Sequence, residues 1–187
     1  QDKIEVLSVQ ELYAAALNLR GYEGCAIMKE NAKENELVKK LTNKHYTITT
    51  AESCTGGLLS ATIINVSGAS DVINCAYVTY ANEAKENLVS VSHDTLETKG
   101  AVSKETAAEM CLGCAKAAKA DMGLSTTGIA GPGGGTKEKP VGLVYLGCSL
   151  HEQVTVERHV FSGDREQVRK QAVDAALDLA IRCLDKE

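Results

Sequence analysis

The sequence predicts an α/β fold, a three-layer α/β/α sandwich built on a mixed β-sheet. Short β-branched runs alternate with helical hydrophobic patterns along most of the chain, and two late strands lie close enough to pair as a hairpin. The hairpin makes the sheet mixed rather than purely parallel. With 187 residues, 44% hydrophobic and 24% charged, the chain can bury one good core. It carries no internal repeat and no low-complexity linker, so one principal domain is expected over residues 31–187.

Residues 1–30 read as a helical extension. Val6, Val9, Leu12, Tyr13, Ala16 and Leu17 make an amphipathic face, and Gly21 to Gly24 break it. Asn31-Ala-Lys-Glu34 has the form of a capping box, with Leu37, Val38 and Leu41 continuing a helix. His45–Thr50 is a short β-branched strand, Glu52–Gly57 a turn, and Leu58, Leu59, Ile63 and Ile64 mark a helix. A strand over Val72–Tyr80 is followed by a helix from Asn82 and another from the cap Ser103. Leu124–Thr127 is a brief strand that enters a glycine loop, Gly128–Pro140. Val141–Leu150 and Val154–Phe161 are the hairpin strands, and Asp164-Arg-Glu-Gln167 caps a final helix to about Leu184.

Composition excludes several roles. A net charge of -5 opposes a broad grip on nucleic acid, which needs dense Lys and Arg. One Phe, six Tyr and no Trp leave few platforms for stacking bases. No apolar run is long enough to cross a bilayer, so no membrane partner is expected. Asp2, Glu5 and Gln10 interrupt the N-terminal apolar residues where a secretory signal would need continuity. Seven Cys without an export signal imply reduced thiols and a cytoplasmic location. Cys111 and Cys114 form a CxxC, but they share a helical face with Ala107, Ala115 and Ala118 and have no second ligand pair nearby. They are expected to pack the core rather than bind metal.

Three segments have chemical potential. In Thr50-Ala-Glu-Ser-Cys-Thr-Gly-Gly57, Ser53 sits between a strand and a helix start, near N–H groups that can hold an oxyanion or a phosphate. Taken alone it reads more readily as a helix cap without chemistry. In Val78-Thr-Tyr-Ala-Asn-Glu-Ala-Lys85, Tyr80 ends a strand and Lys85 lies in the first turn of the next helix. The dipole there disfavours a cation and makes lysine a better base; a surface lysine beside a half-buried tyrosine fits the same pattern. In Thr126-Thr-Gly-Ile-Ala-Gly-Pro-Gly-Gly-Gly135, the glycines make a loop able to fold around a ligand, and Thr127 can hydrogen-bond one. That loop matches neither the P-loop nor the dinucleotide fingerprint. None of the four histidines lies in these segments, so a Ser-His-Asp triad has no support. Arg165 and Arg169, four residues apart at a helix start, suit an anion, though Asp164 or Glu166 can also pair with them.

Together, TAESCTGG, VTYANEAK, GAVSKETA, TTGIAGPGGGTKEKPVG and FSGDREQVR resemble, in order, the nicotinamide-nucleotide amidase family, the domain found at the C-terminus of CinA proteins. The resemblance covers about Glu36 to Leu184. It implies deamidation of nicotinamide mononucleotide to nicotinate mononucleotide and ammonia, no cofactor or metal, and a homo-oligomer. It implies Ser53 as nucleophile, activated by Tyr80 and Lys85. Thr55, Gly56, Gly57, Asn82, Thr127, Gly128, Gly131, Arg165 and Arg169 would then line the substrate site. The larger N-terminal domain of full CinA proteins is missing from this sequence, so its pyrophosphatase activity is not expected here. A catalytically silent nucleotide-binding module and a partner-binding module are the competing readings of the same residues.

Overall fold

The computed structural model describes residues 32–187; the expected extension over residues 1–30 and Asn31 of the expected capping box lie outside them. Helix α1, Lys33–Lys44, buries the anticipated stripe of Leu37, Val38 and Leu41. The following strand β1 is Ile48–Glu52, displaced C-terminally from the expected His45–Thr50. His45 takes a left-handed φ of 57° and its N–H returns to Thr42 O, so it closes α1 instead of opening a strand.

Helix α2 is Leu58–Ile64 and strand β2 Ile73–Val78. Helices α3, Asn82–Val89, and α4, His93–Thr98, follow; the six residues of α4 are too few for a periodic sequence signal, and it was not expected. Helix α5, Lys104–Ala118, begins at Ser103, whose hydroxyl accepts the Thr106 N–H. Strand β3 is Met122–Gly128, β4 Leu143–Leu150 and β5 Gln153–Val160. His151 and Glu152, both with positive φ, make the two-residue turn that a tight hairpin needs. The last helix, α6, is Arg165–Asp185 and carries the full Asp164/Gln167 capping box.

The five strands are ordered β2-β1-β3-β4-β5. Strand β1 is parallel to β2 and β3, whereas β4 and β5 are antiparallel additions. One face of the sheet carries α1, α2 and α6 over the larger core, which includes Leu41, Ile48, Leu59, Leu124, Leu146, Val168 and Leu177. The other face carries a smaller cluster of Ala51, Val89, Val91, Leu96, Met110 and Cys114. Cys111 and Cys114 are fully buried and give their S–H groups to Ala108 O and Cys111 O. The three-layer sandwich is thus the fold.

Strand order also determines where a site can form. The chain leaves β1 for β2 on one side and later returns to β3 on the other. Open α/β sheets bind ligands in the crevice at the carboxyl ends of strands where the order reverses in this way. Ser53 follows β1, Tyr80 follows β2 and the glycine loop follows β3, so all three sequence segments reach that one end. Strand β5, antiparallel to β4 and so running the same way as β1, β2 and β3, ends there too and delivers the start of α6.

Candidate active site

The turn after β1 is held by Glu52. Its side chain is fully buried and accepts the N–H groups of Gly57, Leu59 and Ser60 at 3.0, 3.0 and 2.8 Å. It also accepts the Thr55 hydroxyl at 2.7 Å and the Thr50 hydroxyl at 3.3 Å. Thr55 Oγ1 lies 2.6 Å from Thr126 Oγ1; because the Thr55 hydrogen is committed to Glu52, Thr126 donates to Thr55. The Ser53 N–H donates to Thr126 O at 2.9 Å. Gly57 has a φ of 92°, which a side chain would strain. The Ser53 turn is therefore pinned to β3 and to its own helix.

This network corrects one expectation. The Gly57 N–H and the first free N–H groups of α2 serve Glu52, so they are not open to an oxyanion. Among the described residues, the N–H groups of Thr55 and Gly56 in the same turn donate to no protein acceptor, and they are the candidate donors. The Glu52 role was missed in the sequence, although an acidic residue just upstream of a helix is a recognisable cue.

Lys85 approaches the same serine from α3. It is 1% exposed, and its Nζ lies 3.3 Å from Ser53 Oγ, 2.8 Å from Thr79 O and 3.2 Å from Tyr80 O. No carboxylate forms an ion pair with it among the described residues. Burial holds the Lys85 ammonium below its ordinary value, opposed only by the charge of a Cys54 thiolate. A neutral amine at this position would have two N–H groups for the two carbonyls and a lone pair for the Ser53 hydroxyl.

The rival groups are placed elsewhere. Cys54 is 6% exposed, and burial pushes its thiol up to about 11, so it is a poor nucleophile at neutral pH. None of the four histidines hydrogen-bonds Ser53; His93, His151 and His159 pair with Glu86, Glu187 and Glu157. Tyr80 contributes its backbone carbonyl to Lys85, while its ring is 64% exposed and its hydroxyl accepts from Arg165 Nη2 at 3.4 Å. A phenol relay between Lys85 and Ser53 has no hydrogen bond to run through.

Other predicted residues divide in the same way. Thr127 is buried and its hydroxyl donates to Ala101 O at 2.6 Å, a strut between β3 and the approach to α5; it does not face a ligand. Thr55 likewise enters through its backbone, its carbonyl accepting from Arg169 Nη2 at 2.6 Å. Arg165 Nη1 donates to Gly131 O at 2.9 Å. Gly128 is packed where a Cβ would meet Leu143 O at 2.5 Å, and Asn82 is exposed at the start of α3. The arginines thus clasp the start of α6 to the Ser53 turn and the glycine loop. Beside them, Leu58, Arg165, Glu166, Arg169 and Lys170 line an open cavity of about 440 Å³. Each guanidinium keeps N–H donors beyond the bonds described.

The geometry defines the class: an α/β/α domain with a switch-point serine 3.3 Å from a buried lysine that no carboxylate among the described residues pairs. The chain belongs to the CinA C-terminal domain family, which it matches over residues 30–184. It is 52% identical over 168 residues to a competence-damage inducible protein of Thermoanaerobacter sp. (strain X514), covering 89% of this chain and 41% of the relative. A protein of the same description from Alkaliphilus metalliredigens is 53% identical over 153 residues, covering 82% and 37%. The chain therefore spans about two fifths of the curated relatives it matches. The crystal structure of a CinA superfamily protein from Klebsiella pneumoniae shares 33% identity with a TM-score of 0.80, over 83% of this chain and 97% of that one. A competence/damage inducible protein from Agrobacterium tumefaciens gives 36%, 0.79, 82% and 93%.

Proposed function

We propose that this domain is an amidohydrolase that converts nicotinamide mononucleotide to nicotinate mononucleotide and ammonia. The observation that carries the reading is the Lys85 amine, buried without a carboxylate and 3.3 Å from Ser53 Oγ. Neutral Lys85 takes the Ser53 proton as Oγ attacks the carboxamide carbon. The Thr55 and Gly56 N–H groups receive the developing oxyanion. The Lys85 ammonium then returns its proton to the leaving nitrogen, ammonia departs, and water, deprotonated by Lys85, hydrolyses the acyl-serine.

The substrate chemistry suits this end of the sheet. A cationic pyridinium makes the carboxamide carbon more electrophilic. The cavity bearing Arg165 and Arg169 offers positive charge to a phosphate, while Lys170 there is paired with Glu166. Assembly as a homo-oligomer belongs to the same proposal. The deciding experiment incubates the chain with nicotinamide mononucleotide and quantifies ammonia and the acid product. Stoichiometric release that vanishes in Ser53→Ala supports the reading. Saturable binding without ammonia would replace it with a silent nucleotide-binding module.

A further inference from the structure

The two edges of the sheet are finished differently. Strand β5 forms one edge and carries Glu157, Arg158 and His159, with Glu157 bonded to both His159 and Arg182. Charges of this kind keep an edge strand from pairing with another chain. Strand β2 forms the other edge and reads Ile-Asn-Cys-Ala-Tyr-Val, with a bulge but no charge and no proline. Asn74, Cys75, Ala76 and Val78 are exposed and Tyr77 is half-buried, so most of the strand is covered on neither face. Parallel strands are ordinarily buried on both faces, and a bare, uncharged edge accepts a further strand.

The relief around β2 indicates whose strand that is. The bulge between Ile73 and Ala76 keeps Ile73, Ala76 and Val78 in register with Ile48, Thr50 and Glu52, on the face that carries α2. At the C-terminal end of β2, Val78 is 51% exposed beside Gly57, whose Cβ would meet it at 3.6 Å. At the N-terminal end, on the same face, Ile64, Val66, Gly68, Ala69, Ser70 and Ile73 line a groove of about 370 Å³, and Ile64 is 58% exposed. Projection and groove are about 17 Å apart along the strand. A two-fold axis perpendicular to the sheet at the middle of β2 exchanges its ends and keeps its face. An antiparallel copy therefore brings its Val78 to this groove and receives the other Val78 in return. No like charges oppose each other in that pairing.

We propose that two copies of this chain pair antiparallel through β2, joining two five-stranded sheets into one, with Val78 of each chain in the partner's groove. This deepens the assembly proposed above by naming its surface. It is read from mass, without substrate, so its outcome is separate from that of the deamidation assay.

The test measures the mass of the full chain by light scattering at micromolar concentration, and twice the chain mass is expected. Ile64→Glu and Ala76→Lys, both at exposed positions, should each return it to the mass of one chain with circular dichroism unchanged. Thr155→Lys, exposed on β5, should leave the dimer intact. Cys75 is exposed near the middle of β2, so the axis brings the two copies of it together. A short bis-maleimide should join two chains there, and Cys75→Ser should abolish the cross-link. A full chain with the mass of one copy would overturn the proposal, as it would if residues 1–31 of the same chain occupied this edge. A dimer that survives both Ile64→Glu and Ala76→Lys, or is lost in Thr155→Lys alone, would overturn it too and move the homo-oligomer to another face.

Discussion

Glu52 and Lys85 are both ionisable side chains shut inside the same end of the sheet, and their surroundings are opposites. Around Glu52, three backbone N–H groups and two hydroxyls converge, so its acceptor sites are filled and the group is locked. Around Lys85 there are two carbonyls and a serine hydroxyl, and no carboxylate. A buried group surrounded by complementary partners holds structure; one buried without its counter-charge is kept ready to change protonation state. The difference separates the scaffold from the proposed chemistry at one end of the sheet.

The sharpest way to break that contrast is at Lys85. Lys85→Met should lower ammonia release from nicotinamide mononucleotide by about a thousandfold or more, with the fold retained by circular dichroism. Ser53→Ala should match it. Lys85→Arg keeps a cation but cannot serve as a base, so it should fail equally. Near-normal turnover in Lys85→Arg would mean that charge alone matters there.

The pH profile refines the same point. In the proposed mechanism only the unprotonated amine accepts the Ser53 proton, and burial lowers the folded Lys85 value beneath the ~10.4 of a free lysine. The rate should therefore rise with pH through that lowered ionisation and fall as pH drops through it, a limb that Lys85→Met should lack. The folded state also holds fewer protons here than the unfolded chain, so this residue's contribution to stability grows as pH rises across the same window.

Glu52→Gln addresses the scaffold half. Its amide nitrogen cannot accept the N–H groups that the carboxyl now gathers, and a loss of about 3 kcal/mol in thermal unfolding is expected. An unchanged melting temperature with abolished turnover would move Glu52 into the chemistry. Tyr80→Phe should cost less than about tenfold, since its hydroxyl meets Arg165 and not the reacting pair. A deficit as large as that of Lys85→Met would reinstate the phenol as a proton relay. The smallest effect is expected from dialysis against a chelator, because no group of three His, Cys, Asp or Glu side chains among the described residues could hold a metal. Turnover restored by an added metal would count against the serine–lysine scheme.

Much of this was legible in the sequence, for identifiable reasons. Hydrophobic periodicity located the long elements, and Ser103 and Asp164 marked helix starts because capping is local. The Ser53 turn, Lys85 and the glycine loop were readable as segments because strand-to-helix punctuation is local too. What periodicity could not give was direction. Thr127 and Thr55 look like ligand-facing hydroxyls in a motif, yet Ala101 claims the first, and Glu52, three residues upstream, and Thr126, on the neighbouring strand, claim the second. Tyr80 misled for a related reason: its carbonyl, not its ring, faces Lys85. Strand boundaries shifted where αL residues such as His45 closed a helix that continued past the apolar stripe.

The arginine clasp has one more consequence. Ser53 and Lys85 both precede β3 in the chain, but Arg165 and Arg169, which bond the glycine loop and the turn after Ser53, sit on the helix whose Val168, Ala172, Val173 and Leu177 also seal the larger core. Docking that helix buries its apolar stripe and sets the arginines in the same motion. On the proposed reading, a domain with α6 undocked lacks both arginines at the groove, so ammonia release should return only as that helix docks. Following recovery of ammonia release from denaturant beside the burial of α6 should give two superimposable curves.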